Sequence, residues 1–340
     1  MLMGETIMKR VVWGVLGTSR IGIKHVLPAM RASPLIDLRA IASRTPAAAE
    51  DAARALGIAR AYGSYEALID DPEIEAIYNP LPNHLHMPLT LQAAAAGKHV
   101  LCEKPIALSA AQAQALQEAA GRVHIEEAFM VRHHPQWQRT RDLVRAGRVG
   151  TVRAVQVFFS YFNDDPADIR NQPAIGGGAL YDIGCYAILG GRFLFEAQPR
   201  RGIALVDRDP SLGTDRTTSG LMDFGGGRQL GFTVSTQCCA YQRVQVVGTG
   251  GRIEIRIPFN APRGGAMQIA IDDGRTLDGT GIAFETLPAA DQYRLQAEAF
   301  SRRVRGEEAP YWGMDDAVAQ MRVIDALWRS ERSQRWEDIA

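Results

Sequence analysis

The sequence predicts an α/β protein in which a doubly wound parallel sheet is followed by an α+β domain with a large open antiparallel sheet. Residues 10–130 alternate short apolar runs with helical patterns, as βαβ units do. Residues 151–257 alternate in period two between glycine-rich turns, as antiparallel strands do. The chain of 340 residues also exceeds what one hydrophobic core usually holds. We therefore expect one domain over residues 1–130 and a second over residues 131–340.

The first domain is predicted to contain apolar strands with helices between them. Short apolar runs suit strands that are buried on both faces of a parallel sheet. The predicted strands are Val11–Leu16, Leu38–Ala42, Ile74–Tyr78, His99–Cys102 and Ile125–Phe129. The predicted helices are Ile21–Arg31, Pro46–Leu56, His86–Ala96 and one that begins after Ser109. Ser109 and Gln112 have the spacing of a capping box, which marks the start of a helix.

The second domain is predicted to begin with a helix over Trp137–Arg145 and to continue as a sheet. Its strands alternate in period two, and runs of glycine at residues 225–227 and 248–251 separate some of them. The predicted strands are Thr151–Phe162, Thr217–Phe224, Arg228–Gln237, Tyr241–Val247 and Arg252–Ile257. Two helices, roughly Ala289–Arg305 and Asp315–Glu331, end the chain, and we expect that they can pack back on the first domain.

The composition excludes several classes of protein. Lys and Arg total 38 and Asp and Glu total 38, so no net field draws the chain to nucleic acid or anionic lipid. No apolar run approaches the length of a membrane span, and the start at Met1–Thr6 has no secretory pattern, so we expect a cytoplasmic protein. The cysteines lack metal-site spacing, and we expect reduced, buried thiols and no metal. They are Cys102, Cys185, Cys238 and Cys239.

The turn after the first strand predicts a dinucleotide site of the Rossmann type. A pyrophosphate needs a tight turn whose backbone comes close and a helix that starts beside it. We expect Gly17 to supply the turn and Gly22 to let the helix pack on the strand. Ser19 replaces the usual middle glycine, so the match is imperfect, and a plain strand-to-helix turn is the alternative. The predicted cofactor-binding residues here are Gly17, Thr18, Ser19, Arg20 and Ile21.

The end of the second strand favours NADP over NAD. An acidic residue there would hold the ribose hydroxyls of NAD, but this chain has Ser43 and Arg44. A hydroxyl and a guanidinium would bind a 2′-phosphate, which a carboxylate would repel. The alternative is that Arg44 is a solvated surface residue.

Polar side chains follow three later strands, where the ligand of an open parallel sheet lies. The three stretches are Asn79–His86, Glu103-Lys104-Pro105 and Glu126–Met130. Leu101–Pro105 resembles the Glu-Lys-Pro signature of the glucose–fructose oxidoreductase family, also called the Gfo/Idh/MocA oxidoreductases. Pro80–His84, Glu127–Arg132 and Gly176–Tyr186 resemble further signatures of that family, in the same order along the chain.

The resemblance implies a site for hydride transfer between a nicotinamide and an alcohol. Members of this family that act on aldoses or dihydrodiols use the tyrosine of this last motif as acid and base. By resemblance, Tyr186 is the proton acceptor and Lys104 is the cation that lowers its pKa and orients the substrate hydroxyl. Asp182 shares the face of Tyr186 if this stretch is helical, and it would bind substrate or steady Lys104. Inositol members and several ketosugar members of the family carry histidine at the position of Tyr186, so the resemblance points away from inositol and towards aldoses or dihydrodiols.

Other positions receive weaker assignments. We expect Pro80, Leu81, Asn83 and His84 to approach the nicotinamide, although the last two could equally order their own loop. Glu103 is expected to orient Lys104 or the nicotinamide ribose. Arg170 and His134 are substrate candidates, and for His134 a plain role at the start of a helix is equally open.

The sequence therefore predicts an NADP-dependent sugar dehydrogenase, closest to the D-xylose dehydrogenase, aldose oxidoreductase and dihydrodiol dehydrogenase branch of the family. The leading reaction is oxidation of an aldose at C1 to a lactone, or hydride exchange between two aldoses with the cofactor bound. The alternatives are a trans-dihydrodiol dehydrogenase and, more distantly, a non-catalytic dinucleotide-binding sensor. The family's open sheet usually pairs with another copy, so we expect a homodimer or tetramer.

Overall fold

The computed structural model describes residues 9–339. Residues 1–8, which include the start examined above for a secretory pattern, lie outside this range. Residues 9–339 form two sheets, of six and nine strands, and both parts of the predicted fold class are confirmed. No helix within residues 9–339 is both long and apolar enough to cross a membrane.

The first sheet is parallel throughout and runs in the order β3-β2-β1-β4-β5-β6. Its strands are β1 (Val11–Leu16), β2 (Ile36–Ala42), β3 (Arg60–Tyr62), β4 (Ala76–Asn79), β5 (His99–Cys102) and β6 (Ile125–Glu127). The winding reverses between β1 and β4, and such a switch point opens a crevice at the carboxyl ends of the strands.

Helices cover this sheet. They are α1 (Leu27–Arg31), which a π-helical turn over Gly22–Val26 precedes, α2 (Pro46–Leu56), α3 (Tyr65–Ile69), α4 (Asn83–Ala95) and α5 (Ala110–Ala120). The predicted capping box forms only in part. The Ser109 hydroxyl accepts from the Gln112 N–H at 3.3 Å, but the Gln112 side chain turns to the N–H of Leu108 instead of Ser109.

The second sheet runs in the order β14-β13-β12-β11-β7-β10-β9-β8-β15. Its strands are β7 (Val152–Phe162), β8 (Arg201–Arg208), β9 (Asp215–Asp223), β10 (Gln229–Ser235), β11 (Gln237–Gly248), β12 (Gly251–Ile255), β13 (Met267–Asp272), β14 (Ile282–Leu287) and β15 (Glu337–Asp338). The sheet is mostly antiparallel. One pair departs from the prediction: β7 and β10 run parallel, because the chain crosses over through the helix Cys185–Phe195 after β7 and then adds β8, β9 and β10 as an antiparallel run.

The longer helices of the second half of the described chain are α6 (Pro135–Arg145), α7 (Cys185–Phe195), α8 (Gln292–Val304) and α9 (Met314–Ser333). The last two contact the first domain. Ser301 on α8 accepts from the Trp13 indole N–H at 3.2 Å, and Asp325 on α9 accepts from the Ala110 N–H at 2.8 Å. These helices belong to the second half of the chain but pack on the first domain, so a single division of the chain at residue 130 stays a prediction.

The cysteines correct one expectation. Cys102 and Cys185 are buried, but Cys238 and Cys239 are exposed at the start of β11. There the register between β7 and β11 shifts between Gln237 and Tyr241, so this part of the strand bulges away from its neighbour. The two residues therefore do not fill the core as predicted.

Candidate active site

A cleft of about 1360 Å³ opens at the carboxyl ends of β1, β4 and β5, and both domains contribute to its wall. The first sheet supplies the turn after β1 and the loops after β2, β4 and β5. The second domain supplies residues from β7, from the approach to α7 and from β11–β14. The cleft therefore gathers most of the predicted site residues.

The predicted dinucleotide turn lines the cleft from Gly17 to Ile21. Gly17 has a φ of +86°, and a Cβ there would lie 2.6 Å from the Leu81 side chain, so the turn requires glycine. The Ser19 hydroxyl accepts from the Gly22 N–H at 3.1 Å. A Cβ on Gly22 would lie 2.9 Å from that hydroxyl and 3.8 Å from the Tyr78 ring. Gly22 thus makes room chiefly for the Ser19 hydroxyl, and its other near neighbours are side chains of β4 and of the loop after it, not of the first strand that was predicted to need it.

Ser43 and Arg44 lie at the end of β2 and line the same cleft. Ser43 is buried and Arg44 is exposed. Tyr65, which the sequence analysis did not single out, lines the cleft beside them. Burial raises the pKa of Tyr65, and the positive charge of the nearby Arg44 acts in the opposite direction. Tyr65 therefore lies with Arg44 in the part of the cleft that adjoins the end of β2.

The loop after β4 brings Pro80, Leu81, Asn83 and His84 to the cleft. The Asn83 side chain donates to the carbonyl of Gly176 at 2.7 Å, which joins this loop to the second domain. Asn83 therefore has a structural partner besides its predicted role.

His86, a residue that the sequence analysis left aside, links two loops of the site. Its ring nitrogens lie 2.7 Å from the Pro105 carbonyl oxygen and 2.6 Å from the Leu81 carbonyl oxygen. Burial lowers the pKa of His86 to about 4, against the effect of the two carbonyls. The ring therefore holds the loop after β4 against the loop after β5.

Glu103 faces the cleft and has a buried partner. The Tyr78 hydroxyl donates to its carboxylate at 2.7 Å. Burial raises the pKa of Glu103, and the neighbouring Lys104 partly offsets that effect. Glu103 is thus held by Tyr78 and not by the Lys104 side chain.

Lys104 and Asp182 form an ion pair between the domains. The Lys104 ammonium lies 2.6 Å from the backbone carbonyl oxygen of Asp182 and 3.2 Å from its carboxylate. Burial acts to lower the pKa of Lys104, but the Asp182 carboxylate outweighs it and the pKa is raised. Burial alone would raise the pKa of Asp182; Lys104 and Arg170 instead lower it to about 2. Both groups are charged at neutral pH.

Tyr161 and Arg170 complete this cluster. The Tyr161 hydroxyl donates to the Asp182 carboxylate, and the Arg170 guanidinium lies 3.5 Å from the same oxygen. Arg170 also pairs with Asp168 at 3.3 Å. The sequence did not identify Tyr161 as a site residue, because no local motif distinguishes it from the other residues of the long strand β7.

Tyr186 lies beside Lys104, with the ammonium 5.0 Å from the centroid of its ring. Its hydroxyl donates to the Met130 sulfur at 3.2 Å, and the residue is only 6% exposed. Burial, reinforced by Glu103, raises the pKa of Tyr186 well above its ordinary value. The prediction that Lys104 lowers this pKa is therefore wrong for this structure, because the ammonium lies over the ring and is bound to Asp182.

His134 does not reach the cleft. It is buried at the start of α6, where its ring accepts from the Gln136 N–H at 3.2 Å. This geometry favours the alternative prediction for His134, a role at the start of a helix, over a substrate contact. The absence of His134 from the cleft wall follows from this capping geometry.

Sequence comparisons identify both domains. A family model described as an oxidoreductase family with an NAD-binding Rossmann fold matches residues 11–133, and the GFO/IDH/MocA C-terminal domain matches residues 137–254. An uncharacterized oxidoreductase of Rhizobium meliloti is 42% identical over 98% of this chain and 100% of its own. The D-xylose 1-dehydrogenase (NADP(+)) 2 of Haloferax volcanii is 40% identical over 94% of this chain and 97% of its own. The trans-1,2-dihydrobenzene-1,2-diol dehydrogenase of Xenopus laevis is 32% identical over 72% and 74%.

Solved structures agree with these matches. KijD10, a 3-ketoreductase from Actinomadura kijaniata in complex with NADP and TDP-benzene, has a TM-score of 0.89 at 28% identity, covering 95% of this chain and 98% of its own. An aldose-aldose oxidoreductase from Caulobacter crescentus has a TM-score of 0.88 at 26% identity, covering 97% and 100%. The resemblance drawn from the motifs is thereby confirmed. This chain belongs to the Gfo/Idh/MocA family of NAD(P)-dependent oxidoreductases.

Proposed function

We propose that this protein is an NADP-dependent sugar oxidoreductase, with oxidation of an aldose at C1 to its lactone as the leading reaction. The observation that carries the proposal is the meeting of Lys104, Asp182 and Tyr186 in the cleft that also holds the Gly17 turn. Hydride transfer requires a proton-transfer group beside the position of the nicotinamide, and Tyr186 is that group.

The residues of the first domain suit a nicotinamide dinucleotide. The bound cofactor supplies or accepts the hydride. The backbone at Gly17 admits no side chain, which leaves the close approach that a pyrophosphate needs. Arg44 and Ser43 offer a guanidinium and a hydroxyl to a 2′-phosphate, which supports NADP. NADP also appears in the names of the xylose dehydrogenase and of the 3-ketoreductase complex described above.

We assign the chain's own chemistry to three side chains. Tyr186 exchanges a proton with the oxygen of the reacting carbon. Lys104, charged and fixed by Asp182, donates a hydrogen bond to the same oxygen and stabilises the charge that develops on it. Asp182 keeps the ammonium protonated and aimed, and is therefore a positioning residue. The raised pKa of Tyr186 favours the protonated phenol, which suits donation of a proton to a carbonyl, so the same site supports reduction of a keto sugar.

A trans-dihydrodiol dehydrogenase is the second candidate, because it would use the same lysine and tyrosine and a relative of that activity is among the matches. A non-catalytic sensor is less well supported, since Lys104, Asp182 and Tyr186 are all present and in contact or close by. Turnover separates these candidates. The test is a panel of aldoses, keto sugars, inositols and dihydrodiols, followed by nicotinamide absorbance with NADP and with NAD. Turnover of diols alone, or of nothing, would contradict the leading proposal.

We also propose that the open face of the second sheet pairs with a second copy. That face carries the exposed apolar side chains Leu205, Leu221 and Tyr241, and Leu205 is 73% exposed. These residues border a groove of about 840 Å³ on β7–β11. Light scattering should give at least the dimer mass, and Leu221→Asp should lower it. A monomer at micromolar concentration would contradict this arrangement.

A further inference from the structure

The segment that joins β12 to β13 reaches from the second domain to the first. We call this segment, residues 256–266, the strap. Buried side chains of the second domain hold its base. The Trp137 indole N–H donates to the Pro258 carbonyl at 2.7 Å, and the Gln292 amide donates to the Phe259 carbonyl at 2.9 Å. The base of the strap is therefore fixed to the second domain.

The tip of the strap, residues 261–266, is joined to the first domain by Arg263. Its guanidinium donates at 3.2 Å to the backbone carbonyl of Lys24 and at 3.2 Å to that of His25. Within residues 9–339, no other hydrogen bond connects the tip to another element. A Cβ on Gly264, the next residue, would meet no atom within 4 Å, so close packing does not hold the chain there. The position of the tip therefore depends on Arg263.

The first domain offers a carbonyl that its own helix leaves without the usual donor. Lys24 and His25 lie in the π-helical turn that follows the dinucleotide turn. In an α-helix, the Lys24 carbonyl would accept from the N–H of residue 28. Residue 28 is Pro28, which has no N–H. Arg263 thus supplies a donor at the place where the α-helical pattern has none, which favours the contact.

The strap borders the cofactor end of the cleft. Asn260 and Pro262 line the same cleft as the dinucleotide turn, and Arg263 bonds the helical chain that follows this turn. A segment that borders the cleft from one domain and bonds the other domain closes the cleft on that side. The domains also meet beside the strap, where the ring of Tyr293, another residue of the cleft wall, lies 6.0 Å from the His25 ring, centroid to centroid.

We propose that the strap is a gate for the cofactor, and that NADP enters and leaves the cleft only after the two hydrogen bonds of Arg263 to the first domain break. The pyrophosphate of the cofactor belongs at the turn beside the strap. Because Arg263 bonds the protein and not the cofactor, the same hydrogen bonds must break for entry and for exit. The strap therefore slows both rates and leaves the dissociation constant nearly unchanged. The inference goes beyond the proposed function, since it concerns the cofactor and holds whichever sugar reacts.

The rates of cofactor binding test the gate. Stopped-flow fluorescence measures the association rate of NADPH with the full-length protein, and displacement by excess NADP measures its dissociation rate. Arg263→Ala removes both hydrogen bonds, and we expect each rate to rise by about 10-fold, the scale of a charged hydrogen bond. Arg153→Ala is the matched control and should leave both rates unchanged. Arg153 is also exposed and donates to a backbone carbonyl at 3.2 Å, but it lies outside the cleft wall.

Pro28→Ala tests the same contact from the first domain. The substitution supplies an N–H that would pair with the Lys24 carbonyl within the helix and compete with Arg263. One of the two hydrogen bonds of the strap is then weakened, so we expect both rates to rise by about 3-fold. Every residue of the strap is kept in this variant, so it remains a test of the gate even if Arg263→Ala folds poorly.

A parallel rise of both rates with a constant dissociation constant would support the gate. Unchanged rates in Arg263→Ala and Pro28→Ala would overturn the proposal, as would an equal rise in Arg153→Ala. Faster dissociation with an unchanged association rate would indicate that Arg263 binds the cofactor itself, and would also overturn it. Because no sugar is present in these measurements, failure of the proposed sugar reaction would be a separate result.

Discussion

Lys104 donates to both the backbone carbonyl and the carboxylate of Asp182, at 2.6 Å and 3.2 Å. Lys104 follows β5 of the first sheet, and Asp182 lies in the helical turn before α7 of the second domain. The contact therefore fixes the charge of the lysine and the relation of the two domains at the floor of the cleft.

Asp182→Asn removes the counter-ion of Lys104 while keeping the backbone carbonyl contact. We expect kcat/KM to fall by about 100-fold, because a misplaced or partly neutral lysine stabilises developing charge less well. Loss of one partner of a buried pair should also cost about 3 kcal/mol in the free energy of unfolding. Steady-state kinetics and denaturant unfolding measure both effects. Asp168→Asn, at the other carboxylate of Arg170, is the control and should retain most activity.

Tyr186→Phe removes one hydroxyl from a buried ring whose shape is kept. We expect kcat to fall by about 100-fold to 10,000-fold, the usual contribution of a proton-transfer group, with unchanged affinity for NADPH. Fluorescence titration of NADPH and single-turnover absorbance measure the two quantities. Tyr241→Phe, an exposed tyrosine of the same cleft, should leave the rate near normal. Full activity in Tyr186→Phe would remove the tyrosine from the mechanism.

Arg44→Ala tests the cofactor preference. Loss of charged hydrogen bonds to a 2′-phosphate should weaken NADP binding by roughly 10-fold to 100-fold and leave NAD binding nearly unchanged. Both dissociation constants are measured by fluorescence. Arg54→Ala, which removes an exposed arginine of α2 outside the cleft, is the matched control. An equal loss for the two cofactors would refute the NADP assignment.

Gly178→Ala tests the backbone that precedes Asp182. Gly178 has a φ of +117°, and a Cβ there would lie 1.8 Å from the Asp215 carboxylate, which also accepts from the Leu180 N–H. We expect a loss of more than about 3 kcal/mol in the free energy of unfolding, because the clash adds to the strain of the left-handed backbone. Gly226 has a φ of +63°, but a Cβ there would meet no atom within 4 Å. Gly226→Ala should therefore lower the free energy of unfolding by only about 1–2 kcal/mol. Equal losses would show that the clash is relieved.

Glu127→Gln tests a buried carboxyl behind the site. Burial raises the pKa of Glu127 from 4.5 to about 7, and one carboxylate oxygen has no hydrogen-bond partner. Between these pH values the unfolded chain has lost a proton that the folded chain keeps, so stability falls as pH rises, by up to about 1.4 kcal/mol per pH unit. Glu127→Gln keeps the acceptor for the Ile106 N–H and should flatten this slope. The exposed Glu118→Gln should leave the slope unchanged, and a wild-type slope in Glu127→Gln would contradict the assignment.

Local pattern was sufficient wherever an element's own residues decide its structure. The strands Val11–Leu16 and His99–Cys102 and the helix Pro46–Leu56 have the predicted bounds, because each is a continuous apolar or amphipathic run with clear ends. The short strand β3 and the strands β8, β13 and β14 were missed. Their residues lack a clean alternation, and neighbours in the sheet supply the hydrogen bonds that make them strands.

The site divides in the same way. The sequence alone determined the dinucleotide turn, the Glu-Lys-Pro loop and the position of Tyr186, because these are compact motifs whose chemistry lies in adjacent residues. Only the tertiary structure decided that Tyr161, Tyr65 and His86 join the site and that His134 does not, since such contacts connect residues far apart in the chain. The tertiary structure also decided the charge states of Tyr186 and Lys104. Burial and the Asp182 partner act across the domain boundary, so the raised pKa of Tyr186 and the charge on Lys104 follow from packing that no local pattern contains.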